Sequence, residues 1–271
     1  MKAHIVPSIG PQIGIKAAVL ASALLAGVSC RHGPPSAIPA DLVSCIPPGA
    51  LALAGANLDA LRASSLFPHL PASALDFLKP LEGASHLLTV FNGADILLAA
   101  RGHFREAAPG ATLAGSDLML SGSPALIQAA LAQRRSGVPA SKDLVVQASN
   151  AAAGHALWIV TRGSVPFPLS GDAANLNRLL RNAQFATAGL RIEARAQIDF
   201  TAQCAAPDTA RELEETLRAF LSLSAAGLAR RQPELAAVLR AANVQRDGGI
   251  VRASIAAQAD SIGELLDLFA R

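Results

Sequence analysis

From Gln197 to Cys204 the chain alternates: Gln197, Asp199, Thr201 and Gln203 point one way, and Ile198, Phe200, Ala202 and Cys204 the other. A period of two marks a strand in a sheet with one wet and one buried face. Hairpin signals extend the sheet. His86 to Phe91 and Asp95 to Ala100 flank Asn92-Gly93, a pair that favours a type I′ turn. Val244 to Arg246 and Ile250 to Ile255 flank Asp247-Gly248-Gly249. Further strands are expected at Ala50 to Ala56, Thr112 to Ser121, His155 to Thr161 and Phe185 to Arg195.

Helix signals fall between these strands. Asn57 and Asp59 are caps for a short helix through Ser64, and Ala72 to Leu78 adds another turn or two. Ser123 caps a helix whose first position is Pro124. Ala173 to Asn182 reads as helical, and Pro207-Asp208 opens the longest helix, with Leu213, Leu217, Phe220, Leu221 and Leu228 at spacings of three and four. A shorter helix runs from Pro233 through Ala242, and Ser261 with Glu264 forms a capping box for the last one. Hairpins require antiparallel pairing, and amphipathic helices need a face to cover. The expected fold is α+β: two layers, a mainly antiparallel sheet with helices on one face. Both halves can be written as strand, helix, strands, helix, which suggests a duplicated module, although no constant offset aligns them. The modules are placed at 46–140 and 141–271.

The first thirty residues are built differently. Lys2 and Lys16 precede the uncharged stretch Ala17 to Val28, and Ser29-Cys30 lead into the polar, proline-rich RHGPPSAIPAD. A basic start, a short apolar run and small residues before the break describe a secretory signal over 1–30. The apolar run falls short of the ~20 residues that a membrane-spanning helix needs. Ala26-Gly27-Val28-Ser29-Cys30 has the form of a bacterial lipobox, which makes Cys30 a lipidation site; ordinary secretion and an uncleaved anchor are the alternatives. Residues 31–45 read as a flexible tether. Leu42-Val43-Ser44-Cys45 also fits a lipobox, but no apolar segment delivers it to a membrane.

Motifs for chemistry are sparse. From Arg31 onward there are 21 basic and 20 acidic residues, with no tyrosine and one tryptophan, which argues against nucleic-acid binding. No GxSxG, SxxK, GxGxxG or GxxxxGK[ST] motif is present, so no catalytic residue is assigned. The histidines at 4, 32, 69, 86, 103 and 155 are not paired at i,i+4 and no CxxC occurs, so neither a metal nor a cofactor is expected. Glu212, Glu214 and Glu215 with Arg211 and Arg218 read as a solvated helical face. Cys204 falls on the inner face beside Phe200 as a core thiol; a Cys45–Cys204 disulfide is the alternative outside the cytoplasm.

Three further runs accompany the lipobox-like segment: Pro47-Pro48-Gly49-Ala50-Leu51-Ala52-Leu53, Asn57-Leu58-Asp59-Ala60-Leu61 and Ser121-Gly122-Ser123-Pro124-Ala125. Together they resemble uncharacterised Ala-rich bacterial exported proteins and lipoproteins, over most of residues 46–271. That resemblance carries no catalytic residues. The expected function is a lipid-anchored, non-enzymatic envelope protein on the periplasmic side, acting as a binding or interaction module for an envelope partner. A periplasmic carrier holding an apolar ligand between sheet and helices is the alternative, and an enzyme of unrecognised class the second.

Overall fold

A computed structural model of the chain describes residues 38–138, 140–163, Val165, Leu180 and 183–270. The signal segment and Cys30 lie outside the described residues. So does the helix expected at Ala173 to Asn182, apart from Leu180, which is helical.

The chain starts with a helical turn, α1 (Ala40–Val43). Strand β1 (Ala52–Asn57) runs into α2 (Leu58–Arg62), where the Asn57 Oδ1 accepts a bond from the Ala60 amide. After α3 (Ala72–Leu78), a hairpin forms from β2 (Ala84–Phe91) and β3 (Ile96–Gly102). Strands β4 (Ala111–Leu113) and β5 (Leu118–Ser121) follow, then α4 (Pro124–Ser136) and α5 (Lys142–Gly154). The second half holds β6 (Leu157–Arg162), β7 (Ala183–Ile192) and β8 (Ala196–Cys204). It continues through α6 (Pro207–Leu228), α7 (Pro233–Arg240), β9 (Asn243–Asp247), β10 (Ile250–Ala257) and α8 (Ala259–Ala270).

The ten strands form one sheet in the order β4-β5-β3-β2-β1-β6-β7-β8-β10-β9, and each neighbouring pair is antiparallel. The fold is α+β. The two modules share this sheet through β1 and β6, which pair from Ala52↔Thr161 to Ala56↔Leu157. Outward from that joint the strand order is the same on both sides: β1-β2-β3-β5-β4 and β6-β7-β8-β10-β9. The register shift in β2–β3 between Ala84 and His86 recurs in β7–β8 between Ala183 and Phe185. The repeat that no constant offset reveals in the sequence is seen in this strand order and in this shared irregularity. An antiparallel joint relates the halves by a local two-fold axis normal to the sheet. The β2–β3 turn and the β7–β8 turn therefore lie at opposite ends.

Leu87, Ala100, Leu157, Leu190, Ala196 and Ala257 on one face join α2, α3, α7 and α8 in one core; β7, β8, β9 and β10 pack against α6 on the same face. Over the first half the opposite face is also covered. There Leu53, Leu88, Val90, Leu97, Ala99, Leu118, Leu120, Trp158 and Val160 pack under α1, α4 and α5. Over the second half that face carries Thr187, Gln197, Asp199, Thr201 and Gln203, with only α5 reaching its edge at β7 among the described residues. The expected two layers describe the second half, and the first half adds a third.

Local differences have identifiable causes. Helix α5 has no expected counterpart in the sequence, because Val145, Val146, Ser149 and Asn150 are weak helix formers and Ser141 gives no side-chain cap. Its buried face is mostly alanine: Leu144, Ala148, Ala151 and Ala152. The tether ends before residue 45, because Leu42, Cys45 and Ile46 are buried in the core. Only Gly93 has positive φ in the Asn92 turn, so the link from Phe91 to Ile96 is not type I′; the Asn92 Oδ1 instead accepts from the Ala94 and Asp95 amides. The last helix starts at Ala259, which places Ser261 inside the first turn rather than at a cap. The expected third strand divides into β4 and β5.

Candidate functional site

The polar cluster sits where the covered and open halves of the second face meet. Helix α5 ends at Gly154, and His155 follows in extended conformation. That exit sets the imidazole over Gly189 of β7, where an added Cβ would lie 2.4 Å from the ring. Only a glycine fits below it.

The His155 Nδ1 lies 2.8 Å from the Ala151 carbonyl oxygen, and Nε2 lies 3.2 Å from Asp199 Oδ2. Gln197 donates to Asp199 Oδ1 at 2.6 Å, and an Arg191 amine donates to Oδ2 at 3.4 Å. The His155 and Asp199 side chains are 13% and 21% exposed, so water screens them only in part. Burial alone would raise the Asp199 pKa, but the bonds from His155 and Gln197 and the Arg191 charge outweigh it and hold the carboxyl below its usual value. Both imidazole nitrogens face acceptors. The ring has no nitrogen left to serve a nucleophile, and the cluster is built to hold α5 against β8.

Beside it a small cleft with a cavity volume of about 20 Å³ opens between α1 and α5. Ile38, Leu42, Ala152 and Trp158 line it together with Asn57, His86 and His155. Burial is the largest influence on His86 and lowers its pKa, so its neutral form is favoured. The Trp158 ring occupies the space that a side chain on Gly55 would need, at 2.3 Å from a built Cβ.

The cysteines do not pair. Both Cys45 and Cys204 are buried free thiols. Cys45 belongs to the core under α1, α4 and α5, and Cys204 to the core under α6 on the opposite face. A disulfide would have to pass through the sheet. Burial pushes both thiols up, away from the reactive thiolate. Among the described residues no cluster of three or more His, Cys, Asp or Glu could hold a metal. On α6 Glu214 forms the expected pair with Arg218 and also reaches Arg246 of β9, while Arg211 pairs with Asp208.

In the sequence His155 begins an expected strand and Asp199 is one of several wet-face residues. What brings them together is pairing of strands distant in sequence. The one local clue was Asp199 itself, an acid flanked by Ile198 and Phe200.

Among the described residues no helix is long and apolar enough to cross a membrane. Neither a protein-family model nor a curated protein matches this chain. Among solved structures, crystal form III of TP0453 is similar, with a TM-score of 0.51 at 8% identity over 89% of this chain and 100% of that one. Crystal form I of TP0453 gives 0.49 at 10% identity over 87% of this chain and 99% of that one. At such identity the likeness is one of fold: the chain shares its α+β architecture with TP0453.

Proposed function

We propose that the chain is a lipid-anchored envelope protein on the periplasmic side, and that its body is an interaction module rather than an enzyme. The observation that carries the non-enzymatic reading is the engagement of the polar cluster with itself. Asp199 takes three donors and His155 has both nitrogens engaged, so the groups that resemble catalytic machinery are used in joining α5 to β8. The open half of the second face, with Thr187, Thr201, Gln203 and Arg252 in register, is the surface offered to a polar envelope partner. The lipobox-like run supports the anchor.

Intact mass of the mature protein from its native membrane tests the anchor. The expected N-terminus is Cys30 carrying a diacylglyceryl group, and Cys30→Ala is expected to release the protein into the soluble fraction. An unmodified Cys30 in the mature chain would overturn this reading.

Carriage of an apolar ligand is the second reading, favoured by the cleft with Trp158, Leu42 and Ile38 in its lining. Its volume of about 20 Å³ is room for about one water, so a ligand would have to part α1 from α5 to enter. Trp158 is the chain's single tryptophan, so its emission reports directly on occupancy. A saturable shift on titration with a medium-chain fatty acid is expected under this reading, and an unchanged spectrum would discard it.

A further inference from the structure

The sheet has two dissimilar ends, and the root of the N-terminal segment is at one of them. Ile38 and Pro39 line the cleft with Asn57, His86 and His155, which stand at the β1 exit, near the β2 entry and just before β6. By the antiparallel register this end also holds the β7–β8 turn at 193–195. The opposite end holds the β2–β3 turn at 92–95 and the β9–β10 turn at 248–249.

We infer that the end bearing the cleft and the His155–Asp199 cluster faces the lipid surface, an inference that rests on acylation of Cys30. Seven residues, 31–37, separate Cys30 from Ile38. Fully extended, eight Cα steps reach about 26–29 Å. Strand β2, with eight residues, is itself about 26 Å long. The fully extended tether is thus about as long as a strand of the sheet, and Pro34 and Pro35 stiffen it. Attachment at one end of a body with no membrane-crossing helix among the described residues keeps that end nearest and the other about one strand length farther out. The near end carries Arg101, Asp117, Glu193 and Arg195, a mixture of charges that favours the hydrated headgroup zone over insertion.

The local two-fold axis supplies a matched pair of probes. Ala94 and Ala194 are exposed alanines in the two related hairpin turns, one at each end. Each is replaced singly (Ala94→Cys, Ala194→Cys) in the full-length lipidated protein and labelled with a fluorophore. Cys45 and Cys204 are buried and do not compete. The proteins are reconstituted in phosphatidylcholine/phosphatidylglycerol vesicles carrying a headgroup-attached quencher, and the mass of each is measured first. Severalfold stronger quenching at position 194 than at 94 is the expected result. Equal quenching, or stronger quenching at 94, with an acylated and vesicle-bound protein would overturn the orientation and leave the anchor standing. An unacylated Cys30 would overturn both.

Discussion

Leu97 and Asp199 occupy the same place in the two halves of the sheet. In the first hairpin Leu97 pairs with Val90 and Ala99 with Leu88; in the second Asp199 pairs with Gly189 and Thr201 with Thr187. Counted from the shared register shift, these are equivalent pairs on the same face. The first set is buried beneath α1, α4 and α5, while the second is only part-covered and polar apart from the glycine. One topology therefore supports two surface chemistries, and covering helices account for the difference. Burying a leucine is worth about 1.5–3 kcal/mol, so a helix layer and an apolar face stabilise each other. Without a layer the same strand positions keep hydroxyls, amides and charge in water.

Exchanging residues between the halves tests this comparison. Leu97→Asp is expected to be the most damaging, because it buries a charge with no partner where Leu97 is fully covered; a loss of about 3–5 kcal/mol, enough to unfold the chain, would appear as a collapsed circular dichroism melt. A folded variant with near-native Tm would break the comparison. Gly55→Ala is next, since its Cβ meets the Trp158 ring; about 1–3 kcal/mol should be lost in denaturant titration, with a shift in tryptophan emission. Asp199→Leu, the reverse exchange, is expected to lose only about 1–2 kcal/mol, as the part-exposed His155, Gln197 and Arg191 lose their acceptor. It also changes the acid response. The folded Asp199 carboxyl is held below its usual value, so its contribution is present above the unfolded value near pH 4 and fades as pH falls through the folded one. Tm measured from pH 6 to pH 2 should fall less steeply for Asp199→Leu than for the parent. Thr201→Ala on the open face is the smallest, within about 0.5 kcal/mol, whereas a larger loss would mean the face is covered in solution.

Much of the second half was legible because its strands are half wet and show the period of two. Gln197 to Cys204 is the clearest case. In the first half, burial on both faces erases that period: Leu87, Leu88 and Val90 run together as apolar residues facing opposite sides. The alanine-rich face of α5 was missed for a related reason, since small residues pack closely without a strong hydrophobic signature. The site was less legible than the fold. His155 and Asp199 are 44 positions apart, and nothing local reports that β6, β7 and β8 are consecutive in the sheet.

The final helix crosses back to the beginning of the fold. Ile262, Leu265 and Leu266 join Leu66 and Leu70 in one core, and Gly263 lies so close to the His69 carbonyl that a built Cβ would be 2.6 Å from it. Residues made early thus wait for residues nearly two hundred positions further on. A chain emerging from the ribosome amino end first keeps this interior unlocked until the α8 segment arrives.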